Sequence, residues 1–127
     1  MDRATKIVRA YLDAMEARDL DLARSYLAPG FRMTFPGGVT FRKPEELVEW
    51  SRGRYRHVRK VYGPTDEAGS GENPVVYSTG TLEGEWPDGS RFSNIRFIDR
   101  FELKDGRIVD QQVWNDLAEH LRSTDKD

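Results

Sequence analysis

Residues 94–103 read NIRFIDRFEL, and they alternate as a strand does when one of its faces packs against a core. Asp99 is the charged member of the otherwise apolar face. A carboxylate in such surroundings must be hydrogen-bonded, paired with a cation or protonated, because an isolated buried charge is too costly for a fold. Asp99 is therefore the first candidate site residue. The face to which it belongs consists of Ile95, Phe97, Asp99, Phe101 and Leu103.

The composition indicates one slightly acidic domain. The chain has 127 residues, enough to bury a core but too few for two ordinary domains. Its formal net charge of -2 gives no global attraction to nucleic acid or anionic lipid. The absence of cysteine excludes disulfides, thiolate metal sites and a cysteine nucleophile. His57 and His120 are far apart without accompanying ligand spacing, so we expect no metal and no cofactor.

The start of the chain has no apolar signal region, and no run approaches the length of a membrane span. We therefore expect a cytoplasmic protein that binds neither membrane nor nucleic acid. Residues 52–60, RGRYRHVRK, form a basic cluster. Such a cluster is typical of a solvated face, and alternatively it steers an anionic ligand toward a pocket.

Helical periodicity predicts three helices in the first half of the chain. The first covers residues 7–15, with Tyr11 in the middle of its apolar stripe. Asp19 is expected to cap a shorter second helix that stops at Pro29-Gly30. Pro44 suits the first turn of a third helix. The inner face of this third helix is predicted to be Leu47, Val48 and Trp50.

Strand patterns dominate the second half of the chain. Lys104-Asp105-Gly106 predicts a tight hairpin turn between the last two strands. Asn115 or Asp116 is expected to cap a last helix through Leu121, with residues 123–127 frayed. Helices first and strands afterwards predict an α+β fold, with three helices on one face of a curved, mostly antiparallel sheet. The predicted strands are 31–35, 39–41, 58–66, 75–86, 91–103 and 107–114.

This element order resembles the NTF2-like cone fold, which includes the ketosteroid isomerases and the SnoaL-like polyketide cyclases. Residues 8–12 and 19–21 are similar to the opening helical hairpin of a ketosteroid isomerase, and residues 98–101 and 105–108 to its late strand pair. The resemblance implies a single SnoaL-like domain over residues 1–127, a pocket between the concave sheet and the helices, and a homodimer through the outer sheet face. Fold alone does not name a reaction.

The resemblance also implies roles for individual residues. Tyr11 falls where the isomerase has its oxyanion tyrosine, and Asp99 where it has a protonated aspartic acid that shares the oxyanion. Together they would donate two hydrogen bonds to a developing enolate. The isomerase's general base falls on Phe35, whose ring cannot accept a proton, and such a base is typically worth about 10²- to 10⁴-fold in rate. Candidate substitutes are His57, Asp110 and Glu83, and a cyclase would use Asp99 or Asp116 as its acid or base.

Both candidates also have purely structural explanations. Asp99 alternatively bonds backbone amides or pairs with Arg9 or Arg54, and Tyr11 is alternatively a core tyrosine. Two hypotheses follow: an isomerase, cyclase or lyase that polarises the carbonyl of a small hydrophobic molecule with Tyr11 and Asp99, and a non-catalytic ligand-binding or dimerisation domain. The residues expected to contact a ligand are Phe35, Trp50, His57, Tyr77, Phe97, Phe101, Gln112 and Trp114.

Overall fold

The computed structural model describes residues 3–69 and 72–125, with side chains as far as Leu121. Within these ranges the chain forms four helices and six strands. The helices are α1 (Arg3–Glu16), α2 (Leu20–Ser25), α3 (Pro44–Ser51) and α4 (Leu117–Asp125). The strands are β1 (Leu27–Phe35), β2 (Val39–Phe41), β3 (His57–Ala68), β4 (Val75–Glu85), β5 (Arg91–Lys104) and β6 (Arg107–Asn115).

The first helical hairpin forms as its sequence predicts. The apolar stripe of α1, which includes Val8, Tyr11 and Met15, is buried against the sheet. Asp19 caps α2, because its side-chain oxygen accepts a hydrogen bond from the backbone amide of Leu22 at 3.3 Å. Burial of a whole apolar stripe stabilises a helix more than its intrinsic propensity does.

The end of α2 differs from the prediction. The helix stops at Ser25, and Pro29-Gly30 belong to β1 instead of ending the helix. The amide of Ile108 donates to the carbonyl of Tyr26 at 2.9 Å. The chain therefore begins to pair with β6 directly after the helix. Pairing with β6 is interrupted between Leu27 and Arg32, so the Pro-Gly pair forms an irregularity within the strand.

The strands form one sheet in the order β2-β1-β6-β5-β4-β3. Its pairings are antiparallel except for β1 with β6, which confirms the predicted α+β fold and mostly antiparallel sheet. Asp105 and Gly106 both have positive φ in the two-residue turn that joins β5 to β6. Helix α4 continues to Asp125, beyond the expected end at Leu121, and residues 126–127 lie outside the described ranges.

Two glycines on the concave face of β4 permit the sheet to curve. A Cβ at Gly80 would lie 2.1 Å from the Val61 carbonyl oxygen, and one at Gly84 would lie 2.2 Å from the His57 carbonyl oxygen. The backbone of β3 therefore approaches β4 more closely than any side chain would allow. The resulting bend turns the inner residues of β3 toward the helices.

A bulge in β6 decides which of its residues face inward. Glu102 pairs with Asp110, whereas the next residue of β5, Leu103, pairs with Ile108, so Val109 is an extra residue in β6. Ile108 and Gln111 are consequently both buried on the concave side. The predicted inner face of β5 is confirmed, since Asp99 and all four of its apolar companions are buried.

Candidate functional site

A cavity of about 430 Å³ lies between the concave face of the sheet and three of the helices. Its wall is mostly apolar, which favours a hydrophobic ligand of drug-like size. Helices α1, α3 and α4 and the inner faces of β3 to β6 all contribute to it. Representative apolar residues, in this order, are Leu12, Leu47, Leu117, Val58, Leu82, Phe97 and Val113.

An ion pair between Lys60 and Asp99 lies in this apolar wall. Lys60 Nζ is 2.9 Å from Asp99 Oδ2, and it also lies 4.1 Å from the centre of the Phe97 ring. The Asp99 side chain is completely buried, whereas that of Lys60 is 23% exposed. Asp99 Oδ1 is also buried and has no hydrogen-bond partner among the described residues. The pair therefore leaves one buried acceptor oxygen without a donor.

Burial dominates the protonation of Asp99. Loss of hydration raises the pKa of the Asp99 carboxyl above its ordinary value, and the neighbouring Lys60 ammonium opposes this shift without cancelling it. The carboxyl consequently keeps its proton to a higher pH than an exposed aspartate does. A protonated Asp99 would carry a hydrogen-bond donor into the cavity wall.

Tyr11 lies in the same cavity wall. Its hydroxyl donates to Gln111 Oε1 at 3.4 Å, and its ring packs edge-on against Phe31 and Phe101. Burial, with a smaller contribution from the Asp99 charge, raises the pKa of Tyr11 well above its usual range. The hydroxyl is therefore a permanent hydrogen-bond donor. Tyr11 and Asp99 both line the cavity, although no hydrogen bond joins them among the described residues.

Three further predicted ligand contacts lie on the cavity wall: Phe35, Trp50 and Phe97. The Phe35 and Trp50 rings pack together at 5.6 Å and both pack on Phe41, so they form one side of the cavity without filling it. Phe101 is completely buried behind Tyr11, and their ring centres are 6.2 Å apart.

The structure places the other four predicted contacts outside the cavity. His57 is largely exposed, with its Nε2 3.9 Å from a Glu85 carboxylate oxygen. Tyr77 follows the alternation of β4 to the convex face, where it lies opposite Arg100 of β5. The last two predicted contacts, Gln112 and Trp114, lie on the convex side because of the bulge at Val109. Gln112 donates to Asp110 at 3.2 Å, and Trp114 is 48% exposed.

The candidate substitute bases also lie away from the cavity. Asp110 pairs with Arg32, Glu83 with Arg59 and Asp116 with Arg96, and none of these carboxylates lines the cavity wall. The carboxylates that do line it, among the described residues, are those of Glu16 and Asp99.

Asp99 pairs with Lys60 and not with Arg9 or Arg54, the two partners considered from the sequence. Arg9 pairs with Asp13 and stacks on Tyr62, and Arg54 stacks on Trp50.

Sequence reasoning missed Lys60 and Gln111. Lys60 lies in the basic cluster of residues 52–60, which the sequence analysis interprets only as a group of charges, and also in the predicted strand 58–66. Alternation from Val58 places it on the inner face of β3, and this signal was available. Gln111 is turned inward by the bulge at Val109, for which the sequence gives no clear signal.

Among the described residues, no group of three or more side chains is arranged to hold a metal ion. No helix in the described part of the chain is long and apolar enough to cross a membrane.

Solved structures with the same fold are NTF2-like proteins. An NTF2-like protein from Burkholderia pseudomallei K96243 aligns with a TM-score of 0.76 and 24% identity over 96% of this chain and 97% of its own. A candidate SnoaL-like polyketide cyclase from Jannaschia sp. CCS1 aligns with a TM-score of 0.71 and 20% identity over 94% of this chain and 89% of its own. A candidate ketosteroid isomerase from Shewanella frigidimarina NCIMB 400 aligns with a TM-score of 0.71 and 17% identity over 89% of this chain and 95% of its own. At these identities the likeness establishes the fold.

The family follows from the sequence itself. The model of the SnoaL-like domain matches residues 8–111, so this chain belongs to the SnoaL-like domain family. No curated protein matches the chain in sequence.

Proposed function

We propose that this protein is a small-molecule enzyme that polarises the carbonyl group of a hydrophobic substrate within the cavity. The reaction class is a cofactor-independent isomerisation, cyclisation or elimination. The observation that supports it best is the placement of the Lys60–Asp99 pair and the Tyr11 hydroxyl in one mostly apolar wall. Polar groups at such a site are costly to the fold, and they are expected where a ligand uses them.

The chemistry follows from the donors that face the cavity. A substrate carbonyl oxygen would accept a hydrogen bond from the Tyr11 hydroxyl, which would donate to it in place of Gln111. It would accept a second one from either the Lys60 ammonium or a protonated Asp99. An ammonium carries three donors, and the Asp99 bond of Lys60 uses only one of them. Negative charge developing on the substrate oxygen would be stabilised strongly in this water-poor wall. Removal of one such donor typically lowers kcat by about 10²- to 10³-fold.

Binding of planar phenols and enones tests this proposal. Trp50 lies in the cavity wall and provides a fluorescence signal. We expect Tyr11→Phe and Asp99→Asn each to weaken binding by more than about 1 kcal/mol, as for a lost buried hydrogen bond. Tyr77→Phe is the matched control, because it removes the same hydroxyl from the convex face. Unchanged binding in both cavity variants would make Tyr11 and Asp99 purely structural.

A second candidate is ligand binding without chemistry. Phe35 lines the cavity where a proton-accepting group would serve an isomerase, and its ring contacts Phe41 and Trp50. Deuterium exchange at the carbon next to a bound ketone, followed by NMR, separates the two candidates. Exchange that Tyr11→Phe slows supports the enzyme, whereas tight binding without exchange supports the binding domain.

We also propose that the protein is a homodimer through the convex face of the sheet. Ile98 of β5 is paired with Trp114 of β6, and their side chains are 37% and 48% exposed. Adjacent apolar side chains on an otherwise polar sheet face favour burial against a second copy.

A further inference from the structure

Arg54 differs from the other cations on the cavity wall. Lys60 is paired with Asp99, Arg59 with Glu83, and the Arg18 guanidinium donates to the carbonyl of Met15. The Arg54 guanidinium has no carboxylate or carbonyl partner among the described residues. Arg54 is also exposed to solvent, so the part of the cavity wall that is open to solvent contains a guanidinium whose N–H donors are available to a ligand.

The guanidinium of Arg54 is oriented by an aromatic surface. Its Cζ lies 4.1 Å from the centre of the Trp50 ring, which itself packs against Phe35 and Phe41. A cation held over an indole face loses part of its freedom before any ligand arrives. The N–H groups at the edge of the guanidinium stay free, and their planar fork matches a carboxylate.

The acidic groups of the cavity do not neutralise Arg54. Asp99 is paired with Lys60, and Glu16, which lies at the end of α1, makes no ion pair with Arg54. Arg54 lies in the loop between α3 and β3, beside further basic residues of the cluster 52–60. Those neighbours are already paired with carboxylates: Arg52 with Glu49, Arg56 with Glu85, Arg59 with Glu83 and Lys60 with Asp99. Arg54 is therefore the cation whose charge remains to attract an anion.

We infer that the substrate carries a carboxylate in addition to its apolar, carbonyl-bearing body, and that Arg54 binds this carboxylate. The inference deepens the proposed function, on which it rests for the carbonyl. The substrate class is accordingly a hydrophobic oxo acid. Tyr11 and the Lys60–Asp99 pair contact its carbonyl, and Arg54 sets the specificity for its acid group.

Pairs of ligands that differ only in the acid group test this inference. Suitable probes are 4-acetylbenzoate and 4′-acetylbiphenyl-4-carboxylate, each compared with its methyl ester by titration calorimetry at low salt. We expect wild type to bind a carboxylate about tenfold more tightly than its ester, as a charge-assisted bidentate pair allows. Arg54→Gln should abolish this preference while the ester binds as before.

Arg52→Gln is the matched control. It removes the same charge two residues away, from a side chain that pairs with Glu49 and does not line the cavity. The preference for carboxylate should survive this substitution. The inference is overturned if wild type binds acid and ester equally or binds neither, if Arg52→Gln abolishes the preference as well, or if an amine-bearing ketone binds best.

The failure of this inference is distinguishable from that of the proposed function. Tyr11→Phe should weaken the acid and its ester equally, because the two share the carbonyl. If Tyr11→Phe and Asp99→Asn have no effect while the Arg54-dependent preference persists, the carbonyl chemistry is refuted and the acid subsite stands. If the preference is absent while Tyr11→Phe weakens both probes, only the acid subsite is refuted.

Discussion

One face of β5 is apolar and the other is polar, and each face contains one exception. The concave face is buried and apolar apart from Asp99. The convex face carries Arg96, Arg100 and other polar side chains, apart from Ile98. Asp99 and Ile98 are neighbours in sequence, so one dipeptide places a carboxylate in the core and an aliphatic side chain in water.

Asp99 and Ile98 differ in the contacts that stabilise them. Asp99 has an internal partner, since Lys60 reaches it from β3. Ile98 has only Trp114 beside it, and both remain partly exposed. A buried charge without its partner destabilises a fold by several kcal/mol, whereas an exposed aliphatic side chain costs the monomer little. We therefore expect changes around Asp99 to affect folding and changes at Ile98 to affect association.

The largest effect is expected from Lys60→Met. It leaves the buried Asp99 carboxylate unpaired, so the free energy of unfolding at pH 8 should fall by about 3 kcal/mol, a value typical of a broken buried pair. Urea denaturation measures this change. Arg59→Met is the control, since its ion pair with Glu83 is substantially exposed and should contribute less than about 1 kcal/mol.

The double variant Lys60→Met, Asp99→Leu completes this test. Replacing both partners by apolar side chains should recover most of the lost stability. A Lys60→Met protein no less stable than Arg59→Met would show that Asp99 does not depend on Lys60.

The pH dependence of this loss is the second prediction. Burial raises the pKa of Asp99 in the folded protein above its unfolded value, so the stability associated with the protonated carboxyl is present at low pH and lost as the pH rises through the folded pKa. Without Lys60 the folded pKa rises further. The difference in the free energy of unfolding between wild type and Lys60→Met should therefore become smaller as the pH falls from 8 to 5.

Asn at position 99 serves as the control for this pH series. In the background of Asp99→Asn no carboxyl titrates at this position, so the effect of Lys60→Met should not depend on pH. A difference that stays constant or grows toward pH 5 in the protein with Asp99 would contradict the direction of the pKa shift.

A smaller loss is expected from Gln111→Leu. This substitution removes the acceptor of the buried Tyr11 hydroxyl, and an unsatisfied buried donor typically costs about 1–3 kcal/mol. Thermal unfolding compares it with Gln112→Leu, whose side chain lies on the convex face and whose effect should be within about 0.5 kcal/mol. Equal losses in the two variants would mean that the bulge in β6 does not set the inner face as described.

The smallest effect on folding is expected from Ile98→Asp, which should change the stability of a monomer by about 0.5 kcal/mol or less. Its effect on association should be large, because a carboxylate would be buried in the proposed dimer interface. Sedimentation velocity measures the dimer. Val39→Asp is the matched control, since Val39 is also 37% exposed but lies on the edge strand β2, which β1 and β6 separate from β5. A monomeric wild type would refute the dimer.

The sequence predicted the elements more reliably than the site. Strict alternation in β5 correctly placed Asp99 on the buried inner face, because no bulge interrupts the strand between Ile95 and Glu102. In β6, alternation continued from Ile108 would turn Gln112 and Trp114 inward, and the extra residue Val109 reverses this assignment.

Lys60 shows the second limit of sequence reasoning. Its partner Asp99 is 39 positions away, and the two strands that carry them are separated by β4. The sheet curvature permitted by Gly80 and Gly84 turns Lys60 toward the helices, where its long side chain reaches Asp99. Alternation from Val58 predicts that Lys60 faces inward, but nothing in the sequence indicates that its partner is Asp99.

The extra residue in β6 also has an evolutionary consequence. Regular pairing of the same residues, without the bulge, would place Val109 opposite Glu102, and each later residue of the strand would exchange its face. Val113 would leave the cavity and Trp114 would enter it, while the hairpin turn before the strand would stay intact. A change that removes the bulge but keeps the residue would thus replace the ligand-facing side chains of the rest of the strand in a single step, which separate substitutions at those positions would achieve only through several intermediates.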